Sequence, residues 1–225
     1  MTKLNIKSLL SIILICIVNF GYSQSNKIQI KFIGNCGLYL TDGKSNLYID
    51  FPYKSGAYNY MKYDSTEIEN IQESSIFLFT HRHADHYSKK LLKQVKSKHK
   101  GMVYGNWNTK SFKKLSNSID DFKIETYKTK HRFTFKHYSY LITWHGKKIY
   151  LSGDTESAET IATVKEINWA FAPTWIISDA KEKNLTIDAE KIGVYHLYPN
   201  EKITNSKPEK YLILDKQGEE IIIPY

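Results

Sequence analysis

Six consecutive residues, His81-Arg82-His83-Ala84-Asp85-His86, put three imidazoles and a carboxylate into one short stretch of chain. In a strand or extended turn, residues two apart face the same way. His81 and His83 can therefore aim two ring nitrogens at one cation, while Asp85 and His86 turn toward a neighbouring position. One run of this kind can serve two metal ions, but two ions need more donors than it holds. Later segments offer them. His131 follows a strand-like stretch at 122–127, Asp154 sits in the tight turn Gly153-Asp154-Thr155, and His196 lies at the end of an apolar stretch at 193–197. A carboxylate bridges two dications naturally, since each oxygen can bind one, and Asp154 is the best placed for that. His137 competes with His131, but it opens a hairpin strand, where a buried or edge histidine is ordinary. His99, at a lysine-rich helix end, and His145, in a hairpin turn, read as surface residues.

The elements that must position these side chains follow from hydrophobic period and turn chemistry. Alternation at 28–33 and 38–40, then an apolar stretch at 47–49 after the turn Thr41-Asp42-Gly43-Lys44, predicts paired strands that end at Asp50. A short buried strand at 75–79 delivers the histidine run from its C-terminal end, and a helix is expected over 87–98. A strand at 102–104, a helix over 106–115 and a polar junction at 117–121 follow. Strands at 138–144 and 148–151, joined at His145-Gly146, predict a hairpin that leads into Ser152-Gly153-Asp154-Thr155. A helix from about 157 to 166, a strand at 169–172, a helical piece near 188–192 and a strand at 193–197 come next, and 211–214 with 220–223 reads as a closing hairpin. Residues 52–64 form a loop carrying Tyr53, Tyr58, Tyr60, Met61 and Tyr63, which either selects substrate or covers the sheet edge. Blocks of strands with helices between and after them imply two packed sheets with helices outside. No internal repeat is visible.

With these residues in this order, the chain resembles the metallo-β-lactamase superfamily, in particular its small stand-alone metal-dependent hydrolases. The resemblance rests on Phe32-Ile33-Gly34, Asp50, the run from His81 to His86, His131, Gly153-Asp154-Thr155 and His196, and so spans nearly all of 24–225. It implies an α/β fold in four layers, αββα. It also implies one ion on His81, His83 and His131, a second on Asp85, His86 and His196, Asp154 as the bridge, and Asp50 orienting a ligand from behind. The implied cofactors are two divalent metal ions, with Zn2+ expected. The implied activity is hydrolysis of a small ester, lactone or phosphodiester by a metal-bridged hydroxide, Asp85 or metal-bound water protonating the leaving group. A nuclease, a β-lactamase-type hydrolase of the same fold and a non-catalytic metal-binding module are the alternatives. The bridging Asp154 argues against the lactamase, an export signal expected over 1–23 and the missing appended arm against the nuclease, and the complete donor set against the binding module. Near His196 the chain departs from the family's pattern, because the preceding segment is compressed and Tyr195 stands where many relatives carry other residues.

Composition sets the bounds. A chain of 225 residues with 41% hydrophobic content can bury one sizeable core. Lys3 and Lys7 precede an apolar run at 9–18, with Gly21 and Ser23 at small-residue positions, the pattern of a signal peptide over 1–23. The run is too short for a spanning helix, which takes about 20 apolar residues. An exported domain over 24–225, periplasmic or secreted and without a stable membrane anchor, is therefore expected, and Ile15 before Cys16 argues against lipidation. Loss of Lys3 and Lys7 takes the net charge from +9 to +7, and the lysines are scattered, so a small-molecule substrate is expected and nucleic acid is not. Only Cys36 of the two cysteines lies outside the leader, so no intramolecular disulfide forms and any metal should rest on His and Asp. Cys36 itself reads as a small buried thiol and not as a nucleophile.

Overall fold

Residues 26–201, 203 and 207–225 are described by the computed structural model of the protein, and the leader expected over 1–23 lies outside them. Two six-stranded mixed sheets carry the fold. In the first, β1 (Lys27–Gly34), β2 (Gly37–Thr41) and β3 (Asn46–Ile49) form an antiparallel meander, and β4 (Ile76–Phe79) and β5 (Met102–Gly105) add in parallel. The second follows the same scheme: β6 (Phe122–Thr129), β7 (His137–Trp144) and β8 (Lys147–Leu151) are antiparallel, and β9 (Ile167–Ala172) and β10 (Ala189–Val194) add in parallel. The two halves thus share an architecture that no sequence repeat announces.

Strand alternation explains the layers. Ile28, Ile30 and Phe32 of β1 form one core with Tyr140 and Ile142 of β7 and Ile149 and Leu151 of β8, which joins the sheets. The other face of the first sheet buries Tyr48, Phe77 and Phe79 with Leu92 and Val95 of helix α1 (Lys89–Lys98). Helix α1 begins where Ser88 accepts a hydrogen bond from the Leu91 backbone, and its last turn holds Lys96 and Lys98, which suit the negative end of the helix dipole. Helices α2 (Phe112–Ser116), α3 (Glu159–Thr163) and α4 (Thr174–Glu182) add Phe112, Leu115, Ile161, Ile176 and Ala180 to the large core. The result is an α/β sandwich of four layers, αββα.

Three expectations are corrected. The stretches at 211–214 and 220–223 do not pair with each other: β11 (Tyr211–Ile213) lies parallel to β10 in the second sheet, while β12 (Glu220–Pro224) lies antiparallel to β1 in the first. The turn between them reaches across, Gly218 N–H donating to Phe32 O and Phe32 N–H to Glu219 O. The helical piece near 188–192 is instead part of β10, because a place between β9 and β11 satisfies its backbone groups. Finally, α4 was not anticipated, while the helix expected over 157–166 is the short α3. Pro173 suits the start of α4, and only Ile176 and Ala180, four apart, are fully buried on it, a stripe too narrow to announce a helix.

Candidate metal centre

The side chains that could hold metal all leave the C-terminal ends of strands. The run from His81 to His86 follows β4, His131 follows β6, Asp154 follows β8 and His196 follows β10. All seven expected residues are brought together. Donor atoms of His81, His83 and His131 lie within 4.8 Å of one another, and His131 Nε2 is 3.1 Å from His83 Nδ1. A second group joins His86, Asp154 and His196 within the same span. Asp85 Oδ2 stands beside that group, 3.1 Å from His196 Nε2 and 3.8 Å from His86 Nε2. Asp154 faces both groups. Its Oδ1 is 3.1 Å from His86 Nε2, and its Oδ2 is 3.2 Å from His196 Nε2, 3.8 Å from His131 Nε2 and 3.9 Å from His81 Nε2.

Asp50 sets the orientation of two imidazoles from behind. Its carboxylate accepts from the Thr80 backbone N–H and hydroxyl, each at 2.7 Å, and lies 2.9 Å from His86 Nδ1. The Thr80 hydroxyl, having donated to Asp50, is left to accept from His81 Nδ1 at 3.1 Å. Both rings therefore carry a proton on Nδ1 and turn Nε2 toward the site, and although burial opposes it, Asp154, Asp50 and Asp85 favour the charged form of His86. Those two Nε2 atoms are buried and make no hydrogen bond. Buried imidazole nitrogens that make no hydrogen bond and converge on an ionised carboxylate fit a divalent cation.

His137 does not compete with His131 for the first group. Its Nε2 accepts the Asp154 backbone N–H at 3.0 Å and its Nδ1 lies 2.6 Å from Thr129 Oγ1, so both ring nitrogens are engaged. Gly153 is required beside it: φ is +56°, and a Cβ would fall 2.7 Å from His137 Nε2. Tyr195, the departure noted before His196, is buried, and its hydroxyl accepts the Gly153 N–H at 3.0 Å.

Two contributors escaped the sequence reading. Asn35, at φ 51°, donates through Nδ2 to Asp85 O at 2.9 Å, while its own carbonyl accepts the His196 N–H at 3.0 Å. It ties the donors of two distant segments together, and its setting in Gly34-Asn35-Cys36-Gly37 was the available signal. Cys36 Sγ lies 3.8 Å from Asp154 Oδ1 and within the span of the second donor group, so a thiol stands beside the His and Asp side chains. Burial, with Asp154, Asp50 and Asp85 nearby, holds this thiol well above its usual range, whereas Asp85 is held ionised: burial opposes it, and His86 and His196 prevail. His99 and His145 take no part in the metal groups. Instead of lying free on the surface, they pair with Glu73 at 3.1 Å and Asp42 at 2.9 Å.

The charges of the site depend on one another. Burial works against ionisation of Asp154, but His196 and His86 hold its carboxyl well below the usual range. Burial likewise opposes a charged His196, yet Asp154 and Asp85 push it up to about 9. His81, buried and beside His86, is held neutral. A cation entering the second group must displace protons, so its affinity rises with pH.

An aromatic wall flanks the donors. Trp175, at the start of α4, donates from Nε1 to Thr155 O at 2.9 Å, and its ring centre is 5.1 Å from that of His196. Tyr198 lies 5.7 Å from His196, and Tyr58, from the loop at 52–64, lies 5.8 Å from Tyr198. An open cleft of about 1250 Å³ runs along this wall, lined by His131, Arg132, Asp154, Glu156, Trp175 and Tyr198 among others.

Two mixed sheets between helices, with a histidine and aspartate centre at the strand ends, define the metallo-β-lactamase fold. No family description matches the sequence, and no curated protein does. Solved structures do match. The metallo-β-lactamase fold protein YhfI from Bacillus subtilis superposes with a TM-score of 0.65 at 14% identity, over 88% of this chain and 99% of that one. Igni18, a metallo hydrolase from the archaeon Ignicoccus hospitalis, gives 0.60 at 15% identity, over 88% and 99%. An isothiocyanate hydrolase from Delia radicum gut bacteria gives 0.59 at 16% identity, over 88% and 100%.

Proposed function

We propose that this chain is a metal-dependent hydrolase holding two divalent metal ions, with Zn2+ the expected metal, and acting on a small ester, lactone or phosphodiester. The observation that carries the reading is Asp154, whose two carboxylate oxygens lie within 3.9 Å of imidazole nitrogens of both donor groups. His81, His83 and His131 would hold one ion; His86, His196 and Asp85 would hold the other. Bound there, such ions would lower the pKa of a water and polarise the carbonyl or phosphoryl oxygen of the substrate.

The chain's own residues supply the rest. Asp50 and Thr80 hold the Nδ1 protons of His86 and His81 and so aim both Nε2 atoms at the site. Asp85 is held ionised with Oδ2 turned to His196, and its side chain keeps 20% of its surface open, so the oxygen not given to the ion would take the proton released by the attacking water and pass it to the leaving group. Trp175, Tyr198 and Tyr58 give the substrate an apolar wall beside His196. A neighbour of this fold is named for isothiocyanate hydrolysis, so that class belongs in the substrate panel too.

The test is elemental analysis and hydrolysis on Asp154→Ala against the parent, with esters, lactones, phosphodiesters, an isothiocyanate and a chromogenic β-lactam. The variant is expected to fall from two ions toward one and to lose hydrolysis far more than folding. Two ions retained in Asp154→Ala would remove the bridging role, and metal without turnover across the panel would favour the binding module. Export after cleavage near Ser23 is part of the same proposal, and N-terminal sequencing of the protein recovered from its producing cells checks it.

A further inference from the structure

The loop between β6 and β7, residues 130–136, reads Lys130-His131-Arg132-Phe133-Thr134-Phe135-Lys136. Phe133 and Phe135 are 92% and 105% exposed, the two most exposed large apolar side chains among the described residues. A folded protein leaves single apolar side chains exposed at little cost, but two bare phenylalanines at one loop tip are another matter.

The loop is held and does not hang loose. Glu156 N–H donates to Lys130 O at 3.1 Å, the Arg132 N–H donates to Glu156 Oε1 at 2.6 Å, and Asn106 Nδ2 donates to Lys136 O. Thr134 closes the tip, its N–H on His131 O and its hydroxyl on Lys136 O. Phe133 takes φ 61°, a left-handed backbone that a bulky residue rarely adopts. The fold thus pins the base of the loop and presents both rings outward.

Charge identifies what the rings meet. Lys128, Lys130, Arg132 and Lys136, close to them along the chain, are exposed, and the acid bonded to the loop is Glu156, one of whose oxygens is engaged by the Arg132 backbone. Aromatic rings that enter the headgroup region, surrounded by cations that remain in water, are the chemistry of an interfacial anchor on an anionic bilayer. A groove on another protein would offer a shaped pocket and would not need four cations about the tip.

We propose that the 130–136 loop docks this face of the protein reversibly on an anionic lipid surface. The loop also carries His131, and the cleft beside the metal centre is lined by His131 and Arg132, so docking would turn the mouth of the site toward the bilayer. The proposal does not depend on the hydrolase reading, because it rests on the loop alone.

The experiment is co-sedimentation of the purified full chain with phosphatidylcholine vesicles, with and without phosphatidylglycerol, at low and high salt. All comparisons are between variants of the same chain, so any contribution from residues 1–23 is common to them. The parent should bind the vesicles containing phosphatidylglycerol and release them as salt rises. Phe133→Ser with Phe135→Ser should weaken binding by about tenfold or more, with the melting temperature and metal content unchanged. Phe135→Trp should keep or tighten binding, since tryptophan suits the interface. Arg132→Gln with Lys136→Gln should weaken it severalfold and flatten the salt dependence. No binding to either vesicle would overturn the proposal. So would serine variants that bind like the parent, a loss of binding in Phe135→Trp, a fall in melting temperature showing that the rings are packed, or a dimer that dissociates when the phenylalanines are replaced.

Discussion

His137 Nε2 accepts the backbone N–H of Asp154 at 3.0 Å, so a histidine 17 residues upstream fixes the peptide that presents the proposed bridging carboxylate. The nitrogen that would otherwise bind metal is occupied, and the other lies against Thr129 Oγ1. His137 and His131 should therefore fail differently. His131→Ala is expected to release the ion of the first group, taking elemental analysis from two ions toward one. His137→Ala is expected to keep two ions at saturating metal but to weaken affinity by about 10- to 100-fold, as loss of an outer partner typically does. A metal competition titration reads the affinity. Loss of an ion from His137→Ala at saturation would reverse the two assignments.

Cys36 supports a second separation. Its thiol is held protonated by burial and by Asp154, Asp50 and Asp85, whereas Asp85 already carries the charge a dication prefers. Asp85→Ala should therefore reduce the affinity of the second group and Cys36→Ala should leave two ions in place. Cobalt substitution provides a direct reading. A sulfur-to-cobalt charge-transfer band in the near ultraviolet that disappears in Cys36→Ala would make the thiol a ligand and refute the prediction.

Asp42 and His145 tie the two sheets together away from the metal. His145 Nε2 lies 2.9 Å from Asp42 Oδ2, across 103 residues of chain, and the Tyr225 ring stacks on the imidazole at 4.0 Å. His145→Ala should leave metal content unchanged and cost about 1.5 to 3 kcal/mol, the scale of a hydrogen bond to a charged group. Asp42 also sets a pH dependence. Burial opposes its charge, but His145 and the Ser45 and Lys44 backbone N–H groups pull its carboxyl below the usual range. A depressed carboxylate stabilises the fold fully above its unfolded pKa, about 3.9, and loses that contribution as pH falls through the folded value. The stability gap between the parent and Asp42→Asn should therefore be present at neutral pH and shrink below about pH 4, which denaturant unfolding at a series of pH values measures.

The candidate run at 81–86 could be nominated from sequence because it is local: four of the seven residues sit within six positions, so their types and spacing speak without the fold. His131, Asp154 and His196 could be nominated only as strand-end residues, since what brings them together is β6, β8 and β10 ending at one rim. The β6–β7 and β7–β8 connections could be read from alternation and turn chemistry, which are local signals. The destinations of β11 and β12 could not, because the same alternation suits a strand whether its partner is the next strand or one in the other sheet. His145 misled for a related reason. Its turn position is local, but the half-buried Asp42 that binds it lies 103 residues away, in the first sheet's half of the chain.

The loop at 52–64 divides into two parts with different consequences. Tyr53 is fully buried and donates to Met61 O at 2.6 Å, and its ring meets Phe51 and Tyr63 edge-on, so this part covers the first sheet. Tyr58 is different: 81% exposed, at φ 53°, with its ring 5.8 Å from Tyr198 beside the cleft. Sequence alone left substrate selection and edge packing open for the whole loop; burial places Tyr53 in the packing and leaves Tyr58 open to solvent. Tyr53→Phe should lower stability by about 1 kcal/mol, the usual net worth of one hydrogen bond, with kinetics per folded molecule level. Tyr58→Ala should leave melting temperature and two bound ions unchanged, since little packing is lost, and should lower kcat/KM for substrates with an apolar arm that lies along Tyr198. Both variants are measured for melting temperature and for kcat/KM on the best substrate of the panel. A Tyr58→Ala enzyme with unaltered kinetics on an apolar substrate would remove this ring from substrate selection, and a lowered melting temperature would return it to packing.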